Sequence, residues 1–441
     1  MIILIDSAQA NEAAPISVAI ASQKCPNCGA DVPVHTGYVT WCDKCKWNLE
    51  PTQDDVPNTF YETLTLKLSK RFGAQQYKEL AQAPELRASI TPTKGAAVLI
   101  ALSVHAFTIA LLIFGVTLII VTKLSASLLF AAIFLGLVWL MRPRFARLPT
   151  EDLANREDFP ALYKLADEIS ESLGAKPVDI IVLDNTFNAS FGRAGWRRKD
   201  VLTIGLPLFE ILGPQERVAL LAHEIGHGVN GDPTRSFVVW WAVYALGQWY
   251  NVFPSPGHRA SRSNQLAFGT FIANIIMIPL AQIPRLWLEL LALLMFRDQQ
   301  RAEYLADHLA AEAAGTEGEL QLLRKLHMSQ NVWTTVRRFY LNNLKGNLFE
   351  AIKTQVINVP QRELMRIDQL ERMDDSRIDT SHPPTAQRID LLNARKVREP
   401  KIILNEVDNA AINKEFARIE PERQDKLLSY VDSGSYYGSR H

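Results

Sequence analysis

Cysteine is scarce: there are four in 441 residues, all between positions 25 and 45. No disulfide framework can therefore hold the rest of the chain together. Surplus charge is missing too. Lysine plus arginine and aspartate plus glutamate both number 47, so no global field draws the chain onto nucleic acid. Residues 1–23 lack the basic flank and sustained apolar core of a signal peptide, and a disordered leader is expected there. A further absence is local, since Gly95 to Thr122 contains no charged residue at all.

What is present is a long chain with apolar content of 48%, gathered in blocks. Its length exceeds one ordinary domain. About sixteen residues of the uncharged run are Leu, Ile, Val or Phe, and insertion of such a helix into a bilayer is favoured by several kcal/mol, so His105 alone does not veto it. A second uncharged run, Leu124 to Met141, is just long enough to span. Residues 95–142 thus read as a transmembrane hairpin, with a buried soluble hairpin as the alternative. Arg142, Arg144 and Arg147 follow the second run and Lys94 precedes the first, which by the positive-inside rule places both flanks in the cytosol. Ahead of it, 51–94 reads as a Pro/Asp-rich linker and a helix with Phe60, Leu64, Leu68 and Phe72 on one face. That helix either lies on the membrane surface or is a solvated juxtamembrane helix.

The cysteines form two C-x-x-C pairs, Cys25/Cys28 and Cys42/Cys45, separated by thirteen residues. Each pair is a knuckle whose two thiolates reach one ion, and the spacing matches a structural zinc ribbon over 24–50. Two disulfides or a redox dithiol are the rivals. A module of about 25 residues is too small to hold together by its core, so the metal would be its fold. Thiolates kept as ligands favour a reducing compartment. The ribbon's charges nearly cancel, which disfavours nucleic acid; a protein partner or a regulatory role fits better, with the partner unidentified.

Gly213-Pro214 and Asn230-Gly231-Asp232-Pro233 bracket an apolar-faced helix of about four to five turns. His223 and His227, four apart, project from one face, one turn above the other, where a single Zn²⁺ can take both. Glu224 stands beside them, completing the H-E-x-x-H pattern. Two solvated histidines on a surface helix is the competing reading. Val218, Leu221, Ala222, Ile225 and Gly226 around the pair point instead to a buried helix, where unpartnered imidazoles are costly.

Upstream, Asp158 to Leu173 reads as an amphipathic helix, with Val178 to Leu183 and Val201 to Ile204 as strands. Downstream, 236–254 and 266–296 are apolar; the second is interrupted by Pro279, Pro284 and Arg285. These blocks either span the membrane or are buried or re-entrant. A catalytic zinc needs a third protein ligand and an open position. Glu303 and Asp307, one turn apart, offer a ligand and an acceptor for a ligand histidine, with a solvated acid pair as the alternative. His308 lies off that face. Residues 400–441 read as a C-terminal tail, disordered from Val431.

His223-Glu-Ile-Gly-His227 with Asn230 and Asp232, followed by Glu303-x-x-x-Asp307, resembles the HtpX-type membrane zinc metalloproteases. These are gluzincins that share metallopeptidase family forty-eight with CAAX prenyl and Oma-type mitochondrial proteases. Asn188-Ala189 resembles the family's edge-strand Asn-Ala near bound substrate. Ser381-His382-Pro383-Pro384, with Arg388 six residues after the histidine, resembles its late His-Pro…Arg element. The similarity covers about 96–395 and leaves the ribbon outside.

The resemblance implies a mainly α fold with a small β-sheet. It would comprise a zincin-like metalloprotease domain over 150–399, the membrane hairpin and the added ribbon. It further implies one catalytic zinc on His223, His227 and Glu303, beside the structural zinc on the cysteines. Glu224 would be the general base, and His382 or Arg388 the donor to the oxyanion. Extended polypeptide would pair with the edge strand at Asn188 and Ala189. The expected protein is an integral membrane endopeptidase, in the cytoplasmic membrane with ribbon and active site facing the cytoplasm. Its substrates would be misfolded or membrane proteins and its role quality control. A catalytically inactive membrane scaffold that binds partners through its ribbon is the rival, against which the complete motif set argues.

Overall fold

The computed structural model describes residues 21–49, 60–83, 86, 91–121, 125–229, 236–252, 267–373 and 382–432. The expectations for residues 1–20, for Asn230 and Asp232, for Ser381 and for the chain after 432 lie outside these. Two compact units emerge: residues 1–56 with 358–374, and residues 57–357 with 375–441. The described chain is mostly helical, with two small sheets.

In the first unit, strands β1 (Ala21–Lys24) and β2 (Asp31–Val34) pair antiparallel, Ala21 opposite Val34 and Lys24 opposite Asp31. The leader expected through Gln23 therefore ends earlier, because its last residues join this ladder. The two cysteine knuckles repeat one backbone pattern. Cys25 N–H donates to Ala30 O (2.7 Å) and Gly29 N–H to Cys25 O (2.9 Å); Cys42 N–H donates to Trp47 O (3.0 Å) and Lys46 N–H to Cys42 O (2.9 Å). The fourth residue after each leading cysteine takes positive φ, +71° at Gly29 and +59° at Lys46. A helix more than 300 residues away in sequence, α12 (Gln361–Met373), completes this unit. Buried Arg366 donates to Leu49 O (2.9 Å) and to Glu363 (2.8 Å). Arg362 pairs with Asp43 (2.8 Å) and lies 4.7 Å over the ring of fully buried Trp41.

The second unit opens with α1 (Phe60–Gln82), α2 (Pro92–Val121) and α3 (Ser125–Met141). Thr91 caps α2 with its hydroxyl on Lys94 N–H (3.1 Å), and Pro92 takes the first helical position, where no N–H is needed. Among the described residues α2 alone is long and apolar enough to cross a membrane, and α3 is a shorter apolar helix. They pack with Phe114 edge-on to Phe134 (5.2 Å). The end of α1 buries one face and leaves the other exposed. Leu80 and Leu86 are buried against Tyr304, Leu305 and Leu391, and Arg395 caps the carbonyls of Leu80 (2.6 Å) and Ala83 (3.0 Å).

A four-stranded sheet follows, in the order β3-β4-β6-β5: β3 (Leu153–Ala154), β4 (Ile180–Asp184), β5 (Ala189–Ala194) and β6 (Lys199–Gly205). β4 and β6 run parallel, β5 and β6 form a hairpin, and β5 is an edge strand. Helix α4 (Pro160–Ser172) connects β3 to β4, and short α5 (Leu206–Phe209) leads from β6 into α6 (Pro214–Val229). Residues 217–227 of α6 are buried throughout. Its start is tied down by Glu216 accepting from Gly213 N–H (2.5 Å), and by Gln215 donating to Ala314 O and Ile402 O (3.0 Å each).

Helices α7 (Phe237–Val252) and α8 (Ala267–Ala314) return along α2 and share one apolar core with it and the end of α3. Ala97, Ala101, Val104, Met141, Ala242 and Leu291 lie within that core. His105 stacks on Trp241 (4.1 Å) and its Nε2 meets Val238 O (2.9 Å). The interruption expected at Pro279, Pro284 and Arg285 is absent: α8 is one helix of 48 residues. Asp298, buried on α8, accepts from the hydroxyls of Thr91 (2.5 Å) and Thr93 (3.0 Å), locking the start of α2 to the helix that carries Glu303.

Around this frame lie α9 (Thr316–Lys325), α10 (Ser329–Leu341), α11 (Leu348–Ile357) and α13 (Thr385–Asn393). The expected tail from residue 400 is instead folded through Asp432 as α14 (Glu406–Ala417) and α15 (Glu420–Asp432). A few of its apolar residues point inward. Phe416 is fully buried, stacked on Phe209 (4.9 Å) and edge-on to Phe159 (6.2 Å), and Leu427 is buried as well. Asn409 and Asn413 of α14 accept from buried Arg217 on α6 (2.8 and 2.6 Å).

Candidate active site

Helices α6 and α8 pack together and bring His223, His227 and Glu303 to one point, all three buried. His223 Nε2 and His227 Nε2 are 3.3 Å apart. Glu303 Oε2 is 3.5 Å from the first nitrogen and Oε1 is 3.2 Å from the second. Tetrahedral zinc with nitrogen and oxygen ligands at 2.0–2.2 Å requires ligand-to-ligand edges of about 3.3 Å. The donor set and its spacing fit that ion. Glu224 is buried beside His223 on the same helix.

A layer of charge stands behind the first. Asp307, one turn past Glu303 on α8, lies 3.1 Å from His223 Nδ1 through Oδ1. Arg388 of α13, 4% exposed, grips the same carboxylate with two bonds, Nε to Oδ2 (2.9 Å) and Nη2 to Oδ1 (2.5 Å). His382 Nδ1 is 2.6 Å from Glu303 Oε2, and its side chain is 47% exposed. His308 faces elsewhere, 3.2 Å from Arg398 and 3.7 Å from Glu312.

Electrostatics follow from this packing. Burial works against a charged His223, but Asp307 and Glu303 outweigh it and push the imidazole up to about 10. Glu303 resists its own burial and is held well below the carboxylate range by His382 and His227. Asp307 is likewise lowered against burial by the Arg388 guanidinium.

One member of the cluster was invisible in the sequence. Glu319 of α9 is fully buried, with a carboxylate oxygen within 4.8 Å of the donor atoms of His223 and Asp307. Burial first, and then the Asp307 carboxylate, pushes it well above the carboxylate range. Thr316-Glu317-Gly318-Glu319 looks like an ordinary acidic helix start. The only available signal was Leu320, Leu322 and Leu323 after it.

The edge strand reaches the site through Phe191. A Cβ added to Gly228, next to His227, would sit 2.8 Å from that ring, so glycine is what lets α6 and β5 close. Asn188 is exposed at the entry to β5, with its carbonyl on Gly205 N–H (2.8 Å), and Ala189 is buried opposite Ile204.

The ribbon cysteines converge separately, with all four sulfurs within 4.8 Å of one another. Cys25 and Cys45 are 3.6 Å apart, as are Cys28 and Cys42. None forms a disulfide. A Zn–S distance of 2.3 Å implies tetrahedral edges of about 3.8 Å, so this group fits zinc as well.

Residues 159–396, more than half the chain, match the family model described as Peptidase family M48, and the chain belongs to that family. It is similar to the Protease HtpX of Pseudomonas putida strain GB-1, 27% identical over 223 residues, covering 48% of this chain and 70% of that protein. It is also similar to the Protease HtpX of Stutzerimonas stutzeri strain A1501, 26% identical over 179 residues, covering 39% of this chain and 58% of that one. No solved structure matches. The chain is thus an HtpX-like M48 metalloprotease with a four-cysteine cluster near its N-terminus; that cluster and the group of His223, His227 and Glu303 could each hold a metal.

Proposed function

We propose that the chain is a membrane-anchored zinc endopeptidase, with one catalytic and one structural zinc. The observation that carries the reading is the triangle of His223, His227 and Glu303, whose 3.2–3.5 Å edges suit a tetrahedral ion with one position left open. Bound there, zinc supplies a Lewis acid that activates water near neutral pH. Glu224 takes the proton from the attacking water and passes it to the leaving amine. His382, half exposed beside Glu303, is the donor available to the carbonyl oxygen. Arg388, expected from the sequence to share that task, is instead buried and committed to Asp307, and acts by holding Asp307 against His223. Extended substrate pairs with the open edge of β5 near Asn188 and Ala189.

The membrane part of the reading rests on surface. Leu99, Ile113, Ile120 and Leu129, on α2 and α3, are each more than 60% exposed. Neighbouring Leu, Ile and Phe side chains extend the patch beyond what a soluble surface carries. We read 95–142 as the anchor and α7 with the apolar half of α8 as further membrane-embedded helices. The basic ends support a reading with ribbon and active site on the cytoplasmic side of the cell membrane. Substrates on this reading are misfolded or membrane polypeptides, and the role is quality control.

Purified Glu224→Gln is expected to keep its zinc and lose peptide hydrolysis. Hydrolysis retained in that variant would sink the assignment.

A further inference from the structure

The β5–β6 hairpin ends in a four-residue tip, Gly195-Trp196-Arg197-Arg198, closed by Arg198 N–H donating to Gly195 O (3.0 Å). Trp196 is 73% exposed, an unusual position for the largest apolar side chain. Arg197 lies against its ring at 5.0 Å, and Lys199 follows, also exposed. Nothing in the proteolytic chemistry uses this tip.

Its location says what it meets. Gly195 N–H donates to Ala146 O (2.8 Å), in the segment that leaves α3 at Met141. Gly195 has φ +71°, and a Cβ there would meet Leu148 at 3.2 Å, so glycine is required for the join. Arg198 sits 5.4 Å over the ring of Phe237, the first residue of α7, and Phe237 stacks on Phe145 (5.0 Å). The tip is thereby fixed level with the ends of two apolar helices. Phe145 and Leu148 beside it are more than 40% exposed, and Arg142, Arg144 and Arg147 add further positive charge.

We propose that this tip is a membrane contact, with Trp196 seated in the interfacial layer and the basic residues on anionic lipid headgroups of the leaflet facing the protease domain. Exposed tryptophan beside clustered arginine and lysine, at the end of an apolar helix, is the chemistry of that layer. A protein partner would explain the tryptophan but not its registry with the helix ends. The inference rests on reading α2 and α3 as a membrane anchor. It also gives the edge strand a direction: from Gly195 to Phe191, beside the metal ligands, β5 covers about 13 Å. An extended chain leaving the bilayer would pair with β5 and reach the active site within a few residues.

The test uses the full chain reconstituted in vesicles containing phosphatidylglycerol, with and without acyl-chain-brominated lipid, which quenches nearby tryptophan. Wild type is compared with Trp196→Phe. The emission lost on substitution is expected to be quenched by the brominated lipid, and less so in purely zwitterionic vesicles. Difference emission, wild type minus variant, that brominated lipid leaves unquenched while the remaining tryptophans are still quenched would overturn the tip contact and leave the anchor standing. No quenching of any tryptophan would overturn both. Trp196 emission that responds to added peptide substrate but not to brominated lipid would assign the tip to protein and overturn the lipid contact.

Discussion

Asp307 ties α13 to the His223 side of the candidate metal centre. It faces His223 on one side and takes both arms of Arg388 on the other. A buried guanidinium without its carboxylate is costly, so the pair fixes α13 against α8 as well as orienting the histidine. Asp307→Asn is expected to weaken catalytic zinc binding by roughly 10–100-fold, as loss of such an orienting partner does elsewhere. Chelator competition measures it, and unchanged affinity would remove Asp307 from the metal centre. Part of this was legible in the chain. His223, Glu224 and His227 stand out because helical period alone puts them together. Glu303 and Asp307, one turn apart, offered a ligand and a histidine partner, but a solvated acid pair stayed open until the resemblance weighed against it, and Glu319 hid in what reads as a solvated helix start.

At the scale of elements, the sequence was misleading where tertiary packing overrode local signals. Pro279 and Pro284 read as breaks, yet α8 carries the chain from its apolar half into Glu303 and Asp307 without interruption. Residues 400–432 read as a tail because charge dominates them, while Ile412, Phe416 and Leu427 are buried and seat one face of each of two helices. Periodicity identifies a helix face but not its partner, so the pairing of α12 with the cysteine knuckles could not be read from the chain. The packed C-terminus makes a definite claim. Phe416→Ala should cost about 3–5 kcal/mol of stability, as deletion of a buried aromatic does. Denaturant unfolding that shows no shift in midpoint would return 400–432 to the status of a tail.

On the scale of the whole molecule, two groups of metal-binding side chains lie in two units, one built on thiolates and the other on imidazole and carboxylate. On the proposed reading the first would hold its small module together through a metal; the second is buried between α6 and α8. The larger unit carries the exposed apolar side chains of α2 and α3, on which the proposed membrane anchor rests. Each group should therefore load and fail independently.

The most direct measurement is zinc per chain, paired with peptide hydrolysis, in wild type, Cys25→Ser and His223→Ala. Two zinc ions are expected in wild type and one in each variant, with hydrolysis abolished by His223→Ala and retained by Cys25→Ser. Full zinc content in His223→Ala, or hydrolysis surviving in it, would contradict the account.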